Sequence, residues 1–116
     1  MASESKEKIL DVVFFCSEQG REPVRDWLKS LTKEQKQAIG IDIRTVQLKW
    51  PVGKPLVDGL GDGLWEVRTE LQDHWARVIF CFHGGCMVLL HGFMKKTNKT
   101  STVDLKTAKQ RMRKLE

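Results

Sequence analysis

The sequence contains no tyrosine, and only three cysteines and three prolines among its 116 residues. It also lacks any apolar run approaching the ~18 residues of a membrane-crossing helix, so no membrane partner is expected. The first eight residues, Met1-Ala2-Ser3-Glu4-Ser5-Lys6-Glu7-Lys8, are polar throughout. Without an apolar stretch there, a secretory signal is not expected, and residues 1–8 read as a flexible tail ahead of a single domain over 9–116. Cys16, Cys81 and Cys86 are odd in number and sparse. Such a set argues for reduced thiols and a cytoplasmic protein. There is no internal repeat, no P-loop, no dinucleotide-binding glycine fingerprint and no apparent Ser-His-Asp grouping.

What is present is an ordinary globular composition, 41% hydrophobic and 30% charged, with a net charge of +5. The length suits one small domain. The charge is unevenly placed. Residues 93–116 hold Lys95, Lys96, Lys99, Lys106, Lys109, Arg111, Arg113 and Lys114 against only Asp104 and Glu116, a local +6, while residues 1–92 carry −1. A polyanion such as RNA suits that surplus, as does a merely solvated basic helix face.

The β-branched and aromatic run Ile9-Leu10-Asp11-Val12-Val13-Phe14-Phe15 reads as a strand. Pro23 suits a first helical position, and Val24, Trp27, Leu28 and Leu31 follow at i, i+3, i+4, i+7. Thr32 with Gln35 resembles a capping box for a second helix whose inward stripe is Ile39, Ile43, Val46 and Trp50, stopped by Pro51. The glycine- and proline-rich stretch 51–63 reads as a loop. Strands are expected over Leu64–Leu71, Trp75–Phe82 and Cys86–Met94, the last two joined by a tight turn at Gly84-Gly85. Ser101 with Asp104 opens a last helix, with Leu105, Ala108, Met112 and Leu115 inward and Lys106, Lys109 and Arg113 outward. The order β-α-α-β-β-β-α implies an α+β fold: a twisted, mainly antiparallel sheet with a helical hairpin and a C-terminal helix.

Strand alternation separates Glu66 and Arg68 from Trp65, Val67 and Thr69, and sets Trp75 and Arg77 opposite Ala76, Val78, Phe80 and Phe82. If the apolar sets share the core, Arg68 and Arg77 share the other face. Edged by Lys95, Lys96 and Lys99, they would form an anionic-ligand site, since guanidinium forks match phosphate oxygens. Against this stands a surface ion pair of Arg68 with Glu66 or Glu70. His91 lies in the apolar run Val88–Phe93. A two-residue turn places it on the core face with Ala76–Phe82, as a satisfied core histidine; a different turn flips it toward the groove, where it could act as a general acid or base. Cys81, His83 and Cys86 offer three soft ligands but no CxxC pair, so no metal is expected; Cys81 should oppose Val88, so no disulfide is either. The four tryptophans fall mostly at core positions, where packing outweighs base stacking.

The segments Gly63-Leu64-Trp65-Glu66-Val67-Arg68, Arg77-Val78-Ile79-Phe80 and Val88-Leu89-Leu90-His91-Gly92-Phe93-Met94-Lys95-Lys96-Thr97-Asn98-Lys99-Thr100 together resemble the HigB-like, phage-derived branch of the RelE/ParE toxins, which includes the Tad toxins. The likeness spans roughly residues 56–110. It implies a RelE-like fold and a ribosome-dependent mRNA endonuclease of a type II toxin–antitoxin pair. Such an enzyme needs no metal or other cofactor: a ribose 2′-hydroxyl attacks the adjacent phosphate. By position, Arg77 matches the arginine placed on the scissile phosphate and Arg68 a basic strand residue. Lys95, Lys96 and Lys99 match the basic residues after the last strand. Glu66 and His91 become candidates for proton transfer or for fixing Arg68. Lys106, Lys109 and Arg113 would bind ribosomal RNA, and the partner implied is a HigA-like helix-turn-helix antitoxin. The chain departs from some RelE relatives in having no C-terminal tyrosine, and Ser101 stands where the branch often has proline. The superfamily also holds gyrase inhibitors of the ParE type, so a non-enzymatic binder, or an inactive phage protein that only pairs with an antitoxin, is the alternative.

Overall fold

The computed structural model describes residues 9–96 and 99–115, and the tail read over 1–8 lies outside them. The elements run β1 (Asp11–Phe14), α1 (Pro23–Lys29), α2 (Lys33–Lys49), β2 (Val57–Gly61), β3 (Leu64–Glu70), β4 (Trp75–His83), β5 (Cys86–Lys95) and α3 (Thr102–Arg113). The strands form one sheet in the order β1-β5-β4-β3-β2, in which β1 runs parallel to β5 and every other pair is antiparallel. This is the α+β architecture expected from the sequence, with one strand more.

Local chemistry sets the helices. Pro23 opens α1, where its missing N–H costs nothing. At the start of α2 the Thr32 hydroxyl accepts from the Gln35 N–H (3.1 Å) and the Gln35 side chain accepts from the Thr32 N–H (3.0 Å), a complete capping box. Ile39, Ile43 and Val46 are the buried stripe of α2. They share one core with Val24, Val67, Ala76, Val78, Phe80, Met87 and Leu89, on the sheet face that α1 and α2 cover. Burying each such side chain stabilises the fold by about 1.5–3 kcal/mol. Trp50, just past α2, meets Trp65 edge-to-face at 5.1 Å and Phe80 at 5.9 Å. The opposite face has its own core, where Leu64, Ile79, Cys81, Val88 and Leu90 meet Ala108 of α3, with Leu105, Met112 and Leu115 packed alongside.

Two expectations are corrected. Residues 51–63 are not all loop. Val57–Gly61 pairs with β3 through a turn at Gly61-Asp62-Gly63, whose φ angles of 89°, 58° and 83° favour glycine. The strand is an edge strand with a bulge between Gly59 and Gly61, and only Val57 is buried, so it shows no apolar alternation. The second correction concerns His91. The turn has two residues as expected, with His83 facing Cys86, but the register slips after the Phe80–Leu89 pair, so that Ile79 faces His91 and Leu90 is the extra residue. A one-residue bulge reverses which face the following side chains take. His91 therefore lies on the α3 face with Ile79, not on the hairpin face with Ala76–Phe82.

Gly92 owes its identity to this packing. A Cβ there would lie 2.3 Å from Cε3 of Trp27, the indole by which α1 seats on β5. We predict that Gly92→Ala lowers unfolding free energy by about 1–3 kcal/mol, the usual cost of an overpacked core. Gly53→Ala, where a Cβ meets nothing within 4 Å, should change it by no more than about 0.5 kcal/mol. Urea denaturation with an unchanged m-value is the measurement.

Candidate anionic-ligand site

Cross-strand register builds the α3 face of the sheet in rows. Reading from β3 through β4 to β5, one row is Glu66, Ile79, His91, the next Arg68, Arg77, Phe93, and the last Glu70, Trp75, Lys95. The sequence expectation that Arg68 and Arg77 share a face holds: they are direct cross-strand partners. Like charges placed so oppose each other, and Glu66 compensates. Its carboxylate accepts from Arg77 Nη1 at 3.3 Å and lies 4.0 Å from Arg68 Nε. Thr100 completes the group, its hydroxyl donating to Glu66 Oε2 at 2.6 Å and accepting from Arg77 Nη1 at 3.3 Å.

The group is deeply set. Side-chain exposure is 0% for Arg77, 1% for Glu66 and 14% for Arg68, so the Arg68–Glu66 contact is no surface ion pair. Burial raises the Glu66 carboxyl above its usual range, with Thr100, Arg77 and Arg68 pulling the other way. Burial likewise lowers the Arg77 guanidinium, opposed first by Glu66. Two guanidiniums therefore lie beside the Glu66 carboxylate in a poorly solvated place, with Asp58 of β2 paired to Glu66 across the strands and also acting on Arg77, and charges so placed act on one another more strongly than in water. Cationic side chains so placed can bind phosphate and stabilise charge that develops on it.

A second network joins β5 to α3. His91 Nε2 lies 2.7 Å from Asp104 Oδ1. The Ser101 hydroxyl donates to Asp104 Oδ2 (2.5 Å) and accepts from the Asp104 N–H (3.1 Å), capping the helix. Arg111 Nη1 donates to the Leu90 carbonyl (2.7 Å) and lies 3.5 Å from His91 Nδ1. A guanidinium only donates, so Nδ1 faces a donor and Nε2–H points at the carboxylate. The carboxylate sits between hydroxyl and imidazole, so the order is not the hydroxyl–imidazole–carboxylate relay that activates a serine. Although burial raises it, Asp104 is held below the ordinary aspartate range by the Ser101 hydroxyl, His91 and Lys95.

The remaining candidates lie toward the surface. Lys95 ends β5 half-buried, while Lys96 and Lys99 are exposed. Lys106 and Arg113 are exposed on α3, and Lys109 is half-buried and paired with Asp62 at 3.1 Å. The structure thus brings Glu66, Arg68 and Arg77 together and sets His91 in the separate Asp104 network, to which Lys95 contributes charge. Sequence reasoning missed Thr100 and Arg111 as site residues and saw Asp104 only as a cap. Arg111 had a signal, since 104, 108, 111 and 115 form one inward helical stripe. Thr100, which acts through coil, had none. Among the described residues no group of His, Cys, Asp and Glu is placed to hold a metal ion, and no helix is long and apolar enough to cross a membrane.

Comparison with known families matches residues 26–113 to the model described as phage-derived protein Gp49-like. No curated protein matches the chain.

Two outcomes are predicted. Arg77→Ala leaves the Glu66 carboxylate buried without its main partner and should cost about 3–5 kcal/mol of stability. The double variant Arg77→Leu/Glu66→Leu should recover most of it; equal loss in the double variant would contradict the pairing. For Asp104, a depressed folded pKa means that its contribution is present above the ordinary aspartate range and is lost as pH falls through the folded value. The stability advantage of wild type over Asp104→Asn, followed by thermal unfolding, should therefore persist at neutral pH and shrink below about pH 4.

Proposed function

From the premise that the chain belongs to the Gp49-like family of phage-derived proteins, we propose that it is the toxin of a type II toxin–antitoxin pair and acts as a ribosome-dependent mRNA endonuclease. The family is known in toxin–antitoxin contexts. The observation that carries the reading is the buried group of two arginines on one carboxylate, opposed across β3 and β4, with Lys95 in the next row of the same sheet face.

In the proposed reaction the 2′-hydroxyl of one nucleotide attacks the phosphorus 3′ to it. The P–O5′ bond breaks, leaving a 2′,3′-cyclic phosphate and a 5′-hydroxyl. The protein has to align the hydroxyl, offset charge on the phosphorane and manage two protons. Arg68, and Arg77 once reached, supply charge; removing one such donor typically costs 10²–10³-fold in rate. Glu66, with its raised carboxyl, is the group suited to hold or pass a proton. Lys106 and Arg113, exposed on α3, would supply phosphate contacts that position the protein without reading sequence. The antitoxin in this reading is a helix-turn-helix protein that covers the cationic face.

A second reading, a non-enzymatic binder such as a gyrase inhibitor or an inactive antitoxin-binding protein, draws on one observation: Arg77 is fully buried and already bonded to Glu66 and Thr100.

Primer extension on cellular mRNA after induction separates the two. Wild type should cut within translated frames, and Arg68→Ala and Arg77→Lys should abolish the cuts while retaining cooperative unfolding. Growth arrest with intact mRNA and induced DNA-damage signalling would favour the binder.

A further inference from the structure

Three of the four tryptophans are accounted for by packing. Trp27, Trp50 and Trp65 all join the core beneath α1 and α2, while Trp75 belongs to neither hydrophobic core. It lies half-buried at the start of β4, beside Lys95 on β5 and Glu70 on β3. The Arg68 guanidinium sits over its ring, 5.7 Å from the centroid. Next to this pair, at the sheet edge where β2 begins, is an open cleft of about 180 Å³ lined by Asp42, Pro55, Leu56, Arg68, Glu70 and Trp75.

We propose that this cleft is a nucleobase subsite, with Trp75 and Arg68 as the stacking platform for a base of single-stranded RNA whose backbone passes the cationic group. The inference rests on the RNA-cutting reading above. The lining chooses the ligand. An indole and a guanidinium plane are surfaces on which unpaired bases stack. Pro55 and Leu56 are apolar walls for a flat ring. Asp42 and Glu70 are acceptors for base N–H groups and repel phosphate, so the cleft itself suits a base and not the backbone. Phosphates instead have Lys95, which faces Trp75 across the strand pair, and Arg68, which touches both the platform and the Glu66 group. Arg68 is thus shared, so a base stacked here fixes the register of the strand against the guanidiniums.

The test uses the full chain and a ten-nucleotide unstructured RNA, 2′-O-methylated throughout so that binding is read without cleavage. Affinity is measured by fluorescence anisotropy across a salt series. Trp75→Leu should weaken binding by between about five-fold and a hundred-fold, with the slope of log K against log salt unchanged. Trp75→Phe should restore most of the loss, and Lys95→Ala should instead lower the slope by about one contact. Unfolding curves confirm that each variant is folded. Wild-type affinity in Trp75→Leu overturns the subsite, as does failure of the wild type to bind the RNA. If wild type cuts cellular mRNA while Trp75→Leu binds normally, the subsite fails and the endonuclease stands. If Trp75→Leu loses binding but wild type leaves mRNA intact, the subsite stands and the endonuclease fails.

Discussion

The Glu66 carboxylate joins Arg68 of its own strand to Arg77 of β4 and to Thr100 ahead of α3. Antiparallel pairing of β3 and β4 sets Arg68 directly opposite Arg77, an arrangement that like charges oppose. One carboxylate in the preceding row answers both guanidiniums, at 3.3 and 4.0 Å. Thr100 reaches the same carboxylate at 2.6 Å, and the next residue, Ser101, caps α3. The electrostatic compromise in the sheet is therefore also what fastens the segment leading into the last helix. A buried ion pair is weak evidence for stability in itself. Here its consequence is placement: it holds two guanidiniums side by side, in little water.

The charge surplus of the last 24 residues separates into different roles once placed. Arg111 turns inward, bonding the Leu90 carbonyl and standing over Phe15 at 5.9 Å. Lys109 is engaged with Asp62 of the β2–β3 turn. Lys96, Lys99, Lys106, Arg113 and Lys114 remain exposed, and these suit salt-sensitive docking on a polyanion. The buried arginines, Arg68 and Arg77, lie outside that segment. Exposed and buried positive charge come from different parts of the chain.

Much of the fold was legible because its signals are local. The Thr32–Gln35 capping box, Pro23, the inward stripe of α2 and the two-glycine hairpin each act within a few residues, and each appears where the sequence placed it. The strand β2 was illegible because an edge strand with two glycines has almost nothing to bury. His91 changed faces because a bulge at Leu90 is decided by packing between β4 and β5 rather than by the turn. The same division runs through the site. The shared face of Arg68 and Arg77 follows from strand period and could be read. The enclosure of Arg77 by Thr100 and the approach of Arg111 to His91 join residues 20 or more apart, and no local pattern encodes them. Trp75 could be read as well: strand period sets it with Arg77 on the face away from Ala76, Val78 and Phe80, and the packing leaves it outside both cores.

The central claim is that the cationic group directs attack by a ribose hydroxyl on its neighbouring phosphate. The most direct measurement uses a messenger translated on purified ribosomes with a single 2′-deoxy substitution at the nucleotide whose hydroxyl would attack. The account predicts that the unsubstituted message is cut to 2′,3′-cyclic phosphate ends and that the substituted one is left whole at that position. Cleavage unimpaired by the missing hydroxyl would contradict it.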